Sequence, residues 1–252
     1  TPFMKKVAYT PMVVVLIVLA SFSSKQNQSA VSDSLTSDNP FYSASTLPYQ
    51  APAFDKIKNG DYKPAMEAGM KQQLAEIQKI ADNTEAPTFE NTLVEMEKSG
   101  QLFARVSMVF NCVASANTNP ELQKLQEEEA PKIAATSDAI FLNTKLFKRV
   151  EAIYQQRDSL KLDPESNRLV EYYYQKFELA GANLSDADKE KLKKFNADEA
   201  SLSAKFNNKL LAAAKAGALV ISDKPELAGL PQGTIDAAAQ DAKAAKQDFK
   251  WL

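Results

Sequence analysis

Apolar side chains recur at spacings of three and four along most of this sequence, the signature of helices that bury one face. Met66, Met70, Leu74, Ile77 and Ile80 form one such stripe, predicting a helix of about five turns, with Pro64 as its first residue. In "APTFENTLVEMEKSG", residues 86–100, Thr88 is a natural N-cap, Phe89, Leu93 and Met96 make the buried face, and Gly100 supplies a stop. Leu102, Phe103, Val106, Val109, Phe110 and Val113 continue the period in the next helix. Asn119-Pro120 opens another to about Leu142, followed by a shorter one through Leu146, Phe147, Val150, Ile153 and Tyr154. Asp163-Pro164 caps a segment ending at Gly181.

Ser185 to Asp188 then approximates a capping box, with aspartate in place of glutamate. Leu192, Phe195, Leu202, Phe206 and Leu210 carry a helix of roughly thirty residues to Gly217 on the same period. Only "ALVIS", residues 218–222, is short, apolar and β-branched enough for a strand. An alanine-rich helical stretch follows from about Thr234 to Gln247. The expected fold is all-α, with one or two short strands near the C-terminal end.

The front of the chain has a different texture. Two lysines after Met4, an apolar run from Met12 to Ala20 and small residues beyond it are the parts of a secretory signal peptide. Val18 and Ala20 fit the −3 and −1 positions of a cleavage site. The run of nine is short for a bilayer span, which takes about 20 residues, although an uncleaved anchor is the alternative. Leu19-Ala20-Ser21 is similar to a bacterial lipobox, but Phe22 stands where the lipid-bearing cysteine belongs, so export is expected without lipid anchoring. Residues 1–24 are read as the signal peptide, with Thr1 to Phe3 as extra residues before the start. Residues 25–38, rich in Ser, Gln and Asn, are read as a disordered tether, and 39–252 as the helical region. Trp251-Leu252 is an apolar ending, where natural termini are usually polar, and is read as a cut.

Composition narrows the chemistry. Thirty basic and thirty-two acidic residues leave a formal charge of −2, so there is no basic excess to displace counterions and no nucleic-acid partner is expected. The chain has no histidine. A complete Ser-His-Asp enzyme or a classical zinc hydrolase cannot be assembled from it. The one cysteine, Cys112, excludes an intrachain disulfide and sits among apolar neighbours, which suggests a buried, inert thiol.

The remaining candidates are carboxylates and tyrosines. Glu85, Glu90, Glu95 and Glu97 crowd one short segment; on a helix Glu90 and Glu97 share one side and Glu95 lies on a different face, and carboxylates on the side opposite Leu93 and Met96 read as the wet face rather than an acid–base pair. Glu127-Glu128-Glu129 likewise reads as a solvated helix face. Tyr172-Tyr173-Tyr174 point in three directions, so at least one is exposed; the others suit packing and interhelix hydrogen bonds, with ligand contact as the alternative. No catalytic, cofactor-binding or metal-ligating residue is assigned.

Longer stretches carry a resemblance. "NPFYSASTLPYQAPAFDKIKNGDYKPAMEAGM", "APTFENTLVEMEKSGQLFARV", "LDPESNRLVEYYYQKFELAGANLSDADKEKL" and "FNNKLLAAAKAGALVISDKPELAGLP" resemble, in order, the opening part of bacterial peptidyl-dipeptidases of the thimet oligopeptidase family of zinc metallopeptidases. The likeness runs from about Asn39 to Leu252. It implies the multi-helix N-terminal lobe of a two-lobed helical ellipsoid whose narrow channel admits unstructured peptides. It also implies a zinc ion held on an H-E-x-x-H helix and by a further glutamate, all beyond this chain, because no position here matches that motif. The intact protein would then remove C-terminal dipeptides from oligopeptides, with the absent catalytic region as this chain's main packing partner. Two other readings stand beside it: a non-catalytic helical binding protein of the envelope, and a helical structural lipoprotein.

Overall fold

A computed structural model of the chain describes residues 35–248, 250 and 251. The signal-peptide span and most of the tether therefore lie outside the described residues. The described part already begins within the expected tether: Leu35 is buried in the first core cluster, and the Asn39 side chain donates to the Asp61 carbonyl.

Helices dominate. In order they are α1 (Asn59–Ala81), a π-helical turn (Phe89–Val94) leading into α2 (Glu95–Lys98), α3 (Gln101–Ala116), α4 (Pro120–Phe141), α5 (Thr144–Gln156), α6 (Pro164–Ala180), α7 (Asp186–Ala216) and α8 (Gln232–Ala244). The fold is all-α. Among the described residues there is no β-strand: the 218–222 segment makes a single antiparallel bridge, Ile221 to Trp251, through N–H···O contacts of 2.9 and 3.0 Å. The strand expectation is corrected because β-branched character needs a paired neighbour as well as propensity, and here only one residue supplies it.

The helix ends follow local chemistry. The Asn119 side chain accepts from the N–H groups of Glu121 and Leu122, Asp163 from those of Glu165 and Ser166, and Thr88 from that of Asn91. The Ser166 hydroxyl, which donates to the Asp163 carboxylate at 2.6 Å, and then the Ser166 and Glu165 backbone N–H groups hold that carboxyl below its ordinary value. At α7 the Ser185 hydroxyl accepts from the Asp188 N–H and donates to its carboxylate, half of the expected box. Gly181, at φ +97°, ends α6 in the left-handed conformation that closes helices. Pro64 is a correction: α1 starts five residues before it, where Asp61 accepts from the Lys58 N–H, so the proline lies inside the helix.

Packing joins α1 to α3 and α4, α4 to α7, and α5 to α6. At Gly69 the α1 backbone comes so near α3 that an added Cβ would stand 2.7 Å from the Phe103 backbone nitrogen. One core cluster gathers Phe41, Tyr62, Met66, Val106, Phe110 and Leu122 from the entry segment, α1, α3 and α4. A second joins Ile77, Met96, Ile140, Phe147 and Phe177 from α1, α2, α4, α5 and α6. A third, smaller one unites Leu93, Ile153 and Val170.

α7 departs from its sequence pattern. The helix forms over nearly its expected span, but Phe195, Leu202, Phe206 and Leu210 are exposed. The face turned to α4 is instead small and polar. Ala204 is buried on it, Asn196 donates to the Asp138 carboxylate at 2.7 Å, and Asn208 to the Glu127 carboxylate at 2.9 Å. The large apolar residues, at spacings of seven, four and four, form a stripe on the outer side.

Candidate functional site

The four glutamates of the 85–97 segment are all exposed, Glu85 in the linker after α1 and Glu90, Glu95 and Glu97 on the helical turns that follow. Among the described residues only Glu97 of the four reaches another helix: it accepts from the Tyr173 hydroxyl at 2.6 Å, tying α6 to α2. Burial, with the carboxylate as acceptor, pushes the Tyr173 phenol well above its ordinary value, so it stays a donor. Tyr174 lies flat on Tyr154, ring centroids 3.8 Å apart, and donates to Glu178. Tyr172 is the exposed member, over a surface groove it shares with Glu97, Arg168 and Leu169.

Two expectations fail here. Cys112 is exposed on α3, because its neighbours Val109, Phe110 and Val113 occupy the inward positions. The Glu127–Glu129 run is not a solvated face. α4 is covered by α1 on one side and α7 on the other, so each carboxylate meets a neighbour. Glu128 pairs with Lys63 at 2.8 Å, which lowers the carboxyl and raises the ammonium. Glu127 accepts from Asn208. Glu129, only 1% exposed, pairs with Lys132 at 2.9 Å, and Lys132 also donates to Glu67 on α1. Those two carboxylates hold the Lys132 ammonium above its ordinary value.

Two arginines went unmarked in the sequence reading. Arg149, 6% exposed, donates from Nη1 to the carbonyls of Asn83 (2.8 Å) and Glu85 (3.0 Å) and from Nη2 to Asn91 Oδ1 (2.8 Å). Its Nε reaches Thr92 Oγ1 at 3.3 Å. Burial lowers its pKa, and the nearby charge of Glu85 opposes that shift. A signal existed: Arg149 falls three residues after Leu146 and four before Ile153, on the apolar stripe. Arg105 lines a cavity of about 380 Å³ between α3 and the irregular segment 40–57, with Phe41, Leu47, Ile57 and Val109.

Among the described residues no three His, Cys, Asp or Glu side chains come together as a metal site, and no helix is long and apolar enough to cross a membrane. With no histidine and its carboxylates dispersed or ion-paired, the described part of the chain does not fit the zinc ion that the resemblance implies for the intact protein.

No protein-family model matches the chain. Curated relatives do. It is 49% identical over 218 residues to the dipeptidyl carboxypeptidase of Escherichia coli and 46% identical over 216 residues to that of Salmonella typhimurium. It is 26% identical over 215 residues to the organellar oligopeptidase A of Arabidopsis thaliana. The first two alignments each cover 86% of this chain but 32% of the relative, so the chain spans about a third of the length of the curated proteins it matches. The helical fold and these similarities define the class: a helical region with a peptidase relationship. Within that class the chain resembles the N-terminal region of the bacterial dipeptidyl carboxypeptidases, at nearly twice the identity seen for the organellar oligopeptidase A of Arabidopsis thaliana.

Proposed function

We propose that these residues form the N-terminal channel wall of an exported, zinc-dependent peptidyl-dipeptidase that removes dipeptides from the C-termini of oligopeptides. The observation that carries this reading is the 49% and 46% identity to dipeptidyl carboxypeptidases, sustained over 86% of the chain. In this reading the zinc-binding and water-activating groups belong to the remaining two-thirds of the protein, and the present residues shape and restrict the cleft. Export rests on the charged start, apolar centre and small-residue exit of residues 4–24.

The outer side of α7 supports the same reading. A stripe of Phe195, Leu202, Phe206 and Leu210 on a 31-residue helix is poor in water and well suited to burial against another apolar surface. We assign its cover to the catalytic region of the full-length protein.

Two results test these proposals. The purified 252-residue chain should not hydrolyse an N-blocked tripeptide; turnover that a chelator abolishes would overturn the division of labour. The same chain should also bind a hydrophobic dye more strongly than a full-length dipeptidyl carboxypeptidase, with the excess removed by Phe195→Ser, Leu202→Ser and Phe206→Ser together. Equal dye binding by the two proteins would mean that the stripe is not a covered interface.

A further inference from the structure

We propose that the cavity between the 40–57 segment and α3 is a binding site for a small carboxylate with an apolar tail, anchored by Arg105. The proposal does not rest on the peptidase reading: every residue it uses belongs to this chain.

The first support is an unneutralised cation. Arg105 Nη2 donates to the Phe41 carbonyl at 2.9 Å, and that is the one hydrogen bond its guanidinium makes among the described residues. Its Nε is buried without a partner, and no carboxylate lies within ion-pair distance of it among those residues. Arg149 shows what this protein does with a guanidinium that serves structure alone: it surrounds it with four acceptors. Burial depresses the Arg105 pKa with nothing opposing the shift, as expected for a half-buried charge lacking a counter-ion. A planar fork of donors at a cavity wall is suited to a carboxylate.

The second support is the shape and lining. A volume of about 380 Å³ falls within the range of small-molecule sites. Phe41, Leu47, Ile57 and Val109 offer apolar wall to a tail, and the Ser43 and Thr46 side chains add hydroxyls. Asp55 and Lys56, also in the lining, offset one another, so Arg105 sets the sign of the site.

The third is local backbone strain. Tyr49 (φ 58°) and Gln50 (φ 56°) are consecutive non-glycine residues in the left-handed region, which side chains with a Cβ rarely adopt. Tyr49 is fully exposed, so packing of its ring does not repay that conformation. What the turn accomplishes is to bring Leu47 and Gln50 to the cavity wall. Strain of this kind concentrates where a loop is held for a ligand.

The probe is hexanoate, compared with its uncharged analogue hexanamide, titrated into the 252-residue chain while the backbone amides of Ile57 and Val109 are followed by NMR. Hexanoate should give saturable shifts at both, and hexanamide should bind about tenfold more weakly, the loss expected for one charge-assisted contact. Arg105→Met should weaken hexanoate by a similar factor and leave hexanamide unchanged. The proposal is overturned by an absence of saturable shifts with hexanoate, by equal affinity for the two probes, or by an Arg105→Met chain that binds hexanoate undiminished. The comparison of probes on the unaltered chain decides the matter even if the variant does not fold.

Discussion

Replacing Arg149 by methionine should destabilise the fold by about 3–5 kcal/mol, because four neutral acceptors lose a charged donor, contacts worth about 1.5–3 kcal/mol each before the relief of burying the guanidinium is set against them. The side chain volume is nearly kept, so the loss is electrostatic. Two backbone carbonyls, Asn83 O and Glu85 O, lose their guanidinium donor, as do Asn91 Oδ1 and Thr92 Oγ1. All four acceptors belong to the linker after α1 and to the π-helical turn, whereas Arg149 sits in the middle of α5. One residue thus holds an irregular stretch against a regular helix. Urea unfolding followed by far-ultraviolet circular dichroism measures the effect. A loss under about 1 kcal/mol, the level of a single neutral hydrogen bond, would show that water replaces the guanidinium and that the network is not structural. Arg149→Lys should recover only part of the loss, because a compact ammonium cannot span acceptors arranged around a planar fork.

Phe177→Ala should cost about 3–5 kcal/mol by the mechanism of a cavity in a packed core. Phe177 is fully buried and stands edge-on to Phe141, centroids 5.1 Å apart, and 5.8 Å from Phe147. Its neighbours come from α4 and α5, so three helices lose contact with one truncation and cannot all close on the void. The same unfolding measurement checks it. Phe177→Leu, which refills most of the space, should lose less than half as much. Equal losses for the two variants would place the effect in the aromatic geometry rather than in the cavity.

The helices were legible in the sequence for a definite reason. Each is a local object: its spacing of apolar residues, its cap and its stop lie within a few turns of one another. Asn119, Asp163, Thr88 and Ser185 cap helices where the sequence places them, and Gly100 and Gly181 end segments with positive φ. The wet side of the 85–97 segment was equally readable, because with Leu93 and Met96 buried the charged Glu90, Glu95 and Glu97 are most stable in water. The orientation of helices with two plausible faces was not. The exposure of Phe195 follows from α4 lying against α7 through Asp138–Asn196 and Glu127–Asn208 pairs, and the burial of Glu129 from the packing of its own stripe, with Leu122 and Leu125, toward α1. A periodicity states that a face exists, not which neighbour will take it. Glu129 did leave a trace, standing seven residues after Leu122 and four after Leu125, both buried. A charge at a stripe position, as with Arg149, marks a buried polar tie.

By itself, the sequence determined an all-α chain with no histidine chemistry of its own, most of its helix caps and stops, and its likeness to part of a peptidyl-dipeptidase. Those properties depend on composition and on interactions between residues close along the chain. Only the tertiary structure decided that α7 turns its large apolar side chains outward, that Glu129 and Arg149 are interior ties, and that Arg105 stands at a cavity wall with one hydrogen bond among the described residues. Each of these depends on which surfaces meet across many tens of residues. That choice is made by packing and by the cost of desolvating charge, neither of which is written in local periodicity.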